Sequence, residues 1–435
     1  MKKLFILFFF LYCLAYSTFG QLIKKDSATY APKSLKLDEV NLVTSYYSHT
    51  GDHSTTLGGI GDESVKEMTT AIDLKFVGYK NPNYIHSLTA GLGFAFHTAA
   101  SQAWISATGA SRKNGTRIFP SLEWSMRDVN KKAEYSAGLM YSNEFNYQSL
   151  TLDAGYSKGN SKNGEFALKF SGSFDQVKMI YAEEMAKTDV QEMANTQATL
   201  SSTTIGNTVL SSQSILKSAA SSSGSSGSSS GTSSEEGYGS GSKPRTTLTG
   251  GISYNQVINP QMQVAFLADF TGQFGYLELP FHRVFASDAD SSTIENLPDT
   301  RLRLPLAVRL NYFLGDRYIL RTYYRFYTDN WGITAHTANL EVPVKLSPFF
   351  SVSPFYRFYT QTASKYFAPF AEHTTSDEYY TSNYSYSAFT ANSVGAGLRW
   401  LPKEGGFFKT IELRYTYYKQ TTGLAANAVT LNLKF

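Results

Sequence analysis

The sequence predicts an all-β fold, a transmembrane antiparallel β-barrel of about 16 strands with short periplasmic turns and long extracellular loops. Three observations carry this. Long segments alternate apolar and polar residues with period two, as strands do. The links between them alternate between short turn-rich pieces and longer ones. The composition combines 15% aromatic and only 17% charged residues with a mean hydropathy of −0.25. A helical membrane protein would need apolar runs of about 20 residues, and the single apolar run is at the N-terminus. One Cys excludes a disulfide scaffold, and a net charge of +4 is too small for a typical nucleic-acid binder.

The N-terminus reads as a secretory signal. Met1-Lys2-Lys3 is basic, Leu4 to Ala15 is apolar, and Thr18 and Gly20 are small residues before a cut at Gln21. Residues 1–20 are expected to leave as a signal peptide, taking Cys13 and lowering the net charge to +2. Residues 21–38 are then a periplasmic N-terminal segment, and 39–435 a single outer-membrane barrel. Export and the barrel pattern together predict an outer-membrane location.

The alternation is clearest in the second half. Tyr318, Leu320, Thr322, Tyr324 and Phe326 form one face, while Arg317, Ile319, Arg321, Tyr323, Arg325 and Tyr327 form the other. Phe350, Val352, Pro354, Tyr356 and Phe358 oppose Ser351, Ser353, Arg357, Tyr359 and Gln361. Ile411, Leu413, Tyr415 and Tyr417 oppose Glu412, Arg414 and Thr416. A soluble sandwich also alternates, but its strands average about 5–6 residues, and many segments here reach ten or more. Tyr46-Tyr47, Tyr323-Tyr324, Phe358-Tyr359 and Tyr417-Tyr418 sit at segment ends like interfacial girdles. A final strand, Val429 to Phe435, ends on an aromatic residue, which resembles the signal read by barrel-assembly machinery.

Strands are predicted at 39–48, 65–79, 84–98, 115–127, 131–143, 147–157, 164–179, 245–258, 261–276, 302–313, 317–328, 333–346, 348–361, 385–400, 407–419 and 424–435. Fourteen or eighteen strands remain open, because polar residues blur the fifth to seventh. Short links such as Lys80-Asn81-Pro82-Asn83, Asn259-Pro260 and Ser347-Pro348 have tight-turn chemistry. The longer links fall near 49–64, 99–114, 144–147, 181–244, 277–300, 328–332, 362–384 and 420–424. The Ser/Gly-rich stretch at about 188–243 is expected to be a disordered outer loop.

No phosphate loop, dinucleotide fingerprint or zinc motif is present, and no cofactor is expected. Gly227-Ser228-Ser229-Ser230-Gly231 matches a nucleophile motif only formally, without the flanking strand and helix. Asp288 and Asp290 read as solvated loop. His282, flanked by Phe281 and Arg283, is the most suggestive of the seven histidines, and Asp329 and Trp331 are further loop candidates. The stronger signal is charge on the presumed lumen face. Arg301, Arg303, Arg309, Arg317, Arg321, Arg325, Arg357 and Arg414, with Glu341 and Glu412, all fall opposite apolar residues. A lipid-facing Arg at mid-membrane would cost roughly 2–4 kcal/mol, so these point inward. They could attract anions through a pore, or pair with an inward-folded loop and close the barrel.

The stretches Gly275-Tyr276-Leu277, Pro280-Phe281-His282-Arg283-Val284, Leu297-Pro298-Asp299-Thr300-Arg301, Val308 to Leu314, Tyr324 to Ile333 and Arg357 to Gln361, with Ala363 and Tyr366, resemble a known family. Tyr46-Tyr47 and Gly58-Gly59-Ile60-Gly61 fit as well. The family is domain of unknown function 3570 (DUF3570), a Bacteroidetes-rich group of outer-membrane barrels. The Ser-rich insert departs from it. The resemblance implies contact with outer-membrane lipid, and an envelope redox partner of flavin-transferase or thioredoxin type. The leading functional expectation is a non-enzymatic, porin-like barrel that passes small, anionic solutes or houses a partner protein. The alternatives are an outer-membrane enzyme using residues such as His282, and a structural or adhesive surface barrel.

Overall fold

The computed structural model describes residues 33–81, 83–98, 115–144, 147–180, 187, 191, 238–402 and 406–435. The expected signal peptide and most of the Ser/Gly-rich stretch lie outside the described residues. The chain forms β1 (Lys33–Gly51), β2 (Glu63–Asn81), β3 (Tyr84–His97), β4 (Gly115–Asp128), β5 (Ala133–Glu144) and β6 (Tyr147–Gly159). Then come β7 (Gly164–Ile180), β8 (Tyr238–Asn259) and β9 (Met262–Gly275). A small hairpin, β10 (Arg283–Phe285) with β11 (Ser292–Ile294), stands apart from the main sheet. The wall resumes with β12 (Thr300–Leu314), β13 (Tyr318–Asp329), β14 (Thr334–Glu341), β15 (Val344–Ser347) and β16 (Phe350–Gln361). It ends with β17 (Phe389–Trp400), β18 (Thr410–Gln420) and β19 (Ala425–Lys434).

β14 and β15 are two halves of one strand. Pro343 has no N–H to give the ladder, and the gap is bridged by Ile319 donating to the Pro343 carbonyl and Val342 donating to Pro354. The main sheet therefore has sixteen strands, every neighbouring pair antiparallel. It closes where β1 pairs with β19, from Asn41 opposite Lys434 to Thr50 opposite Ala425. β1 begins at Lys33 and β8 at Tyr238, both earlier than the alternation suggested. Their extra residues continue existing ladders, and a periodicity test cannot see a polar extension.

The inner turns follow from local chemistry. Asn160 Oδ1 accepts from Lys162 N at 2.8 Å and Gly164 N at 2.7 Å, closing the β6–β7 turn. Gly315, at φ 64°, supplies the left-handed residue between β12 and β13. The outward faces are apolar: Phe170, Ile252, Phe266, Phe270 and Val394 are each more than half exposed in the isolated chain. Such a surface is stable only in hydrocarbon. Among the described residues no helix is long and apolar enough to span a membrane; the strands cross it instead. The chain is a closed, sixteen-stranded antiparallel β-barrel whose outer surface is built for lipid.

Ring position sets the geometry of the mouth. β1 and β2 are the first two of the sixteen strands, and β9 and β12 are the ninth and tenth. The β1–β2 and β9–β12 loops therefore rise from diametrically opposed walls.

Candidate functional site

The inward face of β12 to β18 carries the arginines. Arg301, Arg303 and Arg309 alternate with the exposed Leu302, Leu304 and Val308 on β12. Arg321 and Arg325 lie on β13, Arg357 on β16 and Arg414 on β18; Arg325, Arg357 and Arg414 each sit between outward aromatic or aliphatic residues, and Arg321 between Leu320 and Thr322. Arg317 sits at the inner turn before β13 and is exposed. Glu341 on β14 accepts from Arg321 Nη1 at 3.1 Å and from Arg414 Nη2 at 3.0 Å, so it serves two strands. Arg414 also lies 4.0 Å above the Phe355 ring. Glu412 is paired with Arg399 at 3.0 Å. The sequence reading missed Arg399, which the same alternation test, with Leu398 and Trp400 outward, would have found.

Four arginines differ from these. Among the described residues, Arg303, Arg309, Arg325 and Arg357 have no carboxylate within ion-pair distance. The Nε atoms of Arg303 and Arg325 are buried without a hydrogen-bond partner, as is the Thr337 hydroxyl. Arg325 lies opposite Thr337 in register, and Thr337 opposite Tyr359. Arg357 is within electrostatic reach of Arg325. Asp269 on β9 is also within electrostatic reach of Arg325, but it is shared with Lys169.

The other half of the wall carries acids that the sequence reading did not single out. Asp73 on β2 and Glu123 on β4 face inward within electrostatic reach of one another. Gly91 leaves room for Asp73, since a Cβ there would lie 2.6 Å from Asp73 Oδ1. Asp175 binds Arg245 Nε at 3.0 Å in a mostly buried pair. β2 to β4 stand roughly opposite β12 to β14 in the ring, so an acid-bearing wall faces an arginine-bearing one.

The outer mouth is bridged by folded loops. Leu57, from the β1–β2 loop, packs on Phe285 of the β9–β12 loop, with Ile60 and Phe370 against them. Gly58 (φ 72°) makes this contact possible, because a Cβ there would come within 2.6 Å of Phe285 Cδ2. His53 stacks on Tyr384 at 3.5 Å. A second core joins Leu277, Leu297 and Trp331 with Tyr366 and Tyr386. Asp288 ties the loops together by accepting from Thr375 N at 2.9 Å and Thr375 Oγ1 at 2.7 Å.

The four loop candidates all lie within or beneath this cap. His282 is 3% exposed, with Nδ1 2.9 Å from Glu295 Oε1. Glu295 also accepts from Leu279 N at 3.0 Å and Thr381 Oγ1 at 2.8 Å. Arg283 is buried on β10. Asp329 accepts from Arg301 Nε at 2.9 Å and Tyr327 OH at 2.8 Å, and its Oδ1 holds the N–H groups of Trp331 and Ile333 at 3.0 Å. That double acceptance is the Asx device that shapes the β13–β14 turn. Trp331 is 1% exposed, donates to the Thr300 carbonyl at 3.1 Å, and lies 4.4 Å beneath the Arg301 guanidinium. Burial pushes the Glu278 carboxyl above its ordinary range, against the N–H donated by Leu297. Burial likewise pushes the Tyr386 phenol up. Among the described residues, no group of three His, Cys, Asp or Glu side chains could hold a metal.

The sequence profile described as protein of unknown function (DUF3570) matches residues 98–432. No curated protein matches the sequence. Among solved structures, the outer membrane protein opdK of Pseudomonas aeruginosa is 7% identical, with a TM-score of 0.39 over 91% of this chain and 97% of that one. A BenF-like porin from Pseudomonas fluorescens Pf-5 gives 7% identity and a TM-score of 0.38 over 91% and 97%. A single-residue mutant of the ferric enterobactin receptor of Pseudomonas aeruginosa gives 10% and 0.41, over 88% of this chain and 53% of the receptor.

Proposed function

The chain belongs to the DUF3570 family of proteins of unknown function, and we propose that it is a porin-like conduit that passes small anionic solutes through an arginine-bearing lumen. The observation that carries this reading is the set of inward arginines, Arg303, Arg309, Arg325 and Arg357, that the barrel leaves without a paired carboxylate among the described residues. Barrels of 16–18 strands leave an aqueous channel inside. Unbalanced positive charge on a low-dielectric wall raises the local concentration of anions. Arg301, Arg321 and Arg414 contribute less, because Asp329 offsets Arg301 while Arg321 and Arg414 share Glu341. The cap narrows access from the outer side. Glu295 and Asp329 are used up in internal hydrogen bonds, which fits a structural role for His282 and Trp331.

The test is reconstitution of the folded full-length protein in planar bilayers. Conductance with a reversal potential displaced toward the anion is expected, and the Arg325→Ala/Arg357→Ala double variant should lose most of that displacement. Silent bilayers from correctly folded protein would overturn the reading. If stoichiometric recovery of an envelope redox protein accompanied the silence, the barrel would be a housing instead.

A further inference from the structure

We infer that Arg325, Arg357 and Thr337 form a discrete oxyanion-binding site on the lumen wall, taking the carboxylate or phosphate group of a small solute. This rests on the conduit reading and names where in the lumen an anion is held. Three strands build the site. Arg325 on β13 and Thr337 on β14 are direct register partners, and Arg357 on β16 lies one pair along, opposite Asn339. Tyr359, register partner of Thr337, borders the site and lies within electrostatic reach of both arginines. Its hydroxyl is committed to Gln361 Oε1 at 2.6 Å.

The physical argument is one of unmet demand. Thr337 is 1% exposed and its hydroxyl has no partner. Arg325 Nε is buried and equally unmatched. Leaving a buried donor unmade forfeits its desolvation cost, and two neighbouring guanidinium groups without a paired carboxylate add mutual repulsion. Asp269 acts on Arg325 only through space and divides its charge with Lys169. Elsewhere the same wall solves this with directly bonded carboxylates: Glu341 for Arg321 and Arg414, Glu412 for Arg399, Asp329 for Arg301. Where the wall supplies none, a solute anion meets the demand. Guanidinium groups match the planar geometry of carboxylate and phosphate oxygens, and a threonine hydroxyl donates to either. Depth fits an obligatory stop. Arg325 is seven residues past the start of β13 at Tyr318, and Arg357 is seven past the start of β16 at Phe350, so both lie well inside the wall.

The experiment uses detergent-folded full-length protein and reads melting temperature and calorimetric binding. Inorganic phosphate, acetate and succinate are titrated at constant ionic strength against chloride. Saturable stabilisation by phosphate or a carboxylate beyond that by chloride is expected; which of them saturates at lower concentration identifies the headgroup. Arg325→Ala and the isosteric Thr337→Val should each weaken that binding by about tenfold, the effect of losing one charge-assisted hydrogen bond. Arg357→Lys keeps the charge and should weaken it less than Arg357→Ala. Stabilisation no greater than that by chloride, or equal affinity in wild type and Thr337→Val, would overturn the site. The readout needs no conduction, so a silent bilayer with intact oxyanion binding would sink the conduit and leave the site standing.

Discussion

Leu57 and Phe285 rise from opposite walls of the barrel and meet over its mouth. Leu57 is wholly buried and Phe285 is 1% exposed. Their contact makes the outer loops a span across the opening.

That span can be weakened at a chosen point. Leu57→Ala should cost the cap about 2–5 kcal/mol, the usual range for a buried leucine. Gly58→Ala should act similarly, because its φ of 72° and the nearby Phe285 ring both oppose a Cβ. Faster protease cleavage of the outer loops, with larger single-channel conductance, is the expected result in detergent and in bilayers respectively. Unchanged cleavage would mean that the Leu57–Phe285 contact does not hold the loops in place.

Arg301 and Asp329 form a pair in which Asp329 is completely buried. Removing one partner strands a buried charge, at about 3–5 kcal/mol. Arg301→Ala should therefore lower the melting temperature more than the double variant Arg301→Ala/Asp329→Asn. A double variant as unstable as the single one would show that lost packing on Trp331 dominates.

Arginines of the lumen should differ in their effect on ion selectivity. Arg321→Ala leaves Glu341 bound to Arg414 at 3.0 Å and removes a charge that Glu341 already partly offsets. Arg325→Ala removes one that no carboxylate pairs. Reversal potentials under a salt gradient should shift clearly for Arg325→Ala and little for Arg321→Ala. Equal shifts would argue that total charge matters and local pairing does not.

Acidity should tighten the cap through Glu278. Its carboxyl titrates above 4.5 because it is buried. A group raised in the folded state gives stability that is complete below its unfolded value and is lost as pH rises through the folded value. Asp52, raised by burial, adds in the same direction. Asp288 and Asp377 are lowered from 3.8 by hydrogen bonds, so their opposing contributions fade only in stronger acid. Protease protection of the outer loops should be greater at about pH 5 than at about pH 7, and Glu278→Gln should flatten the difference. A pH response unchanged by that variant would place the sensitivity elsewhere.

The wall was legible in the sequence because a strand repeats every two residues. Tyr318 to Tyr327 announced both its faces, and the arginine side followed from the cost of charge in lipid. Partners were less legible. Whether Arg321 meets Glu341 depends on cross-strand register, which alternation within one strand does not set. The cap was legible only as composition. His282 and Trp331 stood out as residue types, but nothing periodic links His282 to Glu295 and Thr381, or Leu57 to Phe285. Those contacts come from loops meeting in space, and their spacing along the chain carries no signal. Alternation also puts Asp73 opposite Ile72, Leu74 and Phe76, and Glu123 between Leu122 and Trp124, so the inward side of both acids was legible while their meeting across strands was not.

The seam between β1 and β19 has a kinetic consequence. Every other junction in the wall joins strands that follow one another around it, many through short turns, so most of the wall can grow by adding neighbouring strands. The seam joins Asn41 to Lys434, and its loop-closure entropy must be met before any of its hydrogen bonds form. Until then two strand edges stand unpaired, which hydrocarbon does not tolerate. Closure is therefore expected to be the slow event of assembly. A cysteine pair placed across the seam would time it directly, and the cap, whose loops spring from both sides of that ring, can set only afterwards.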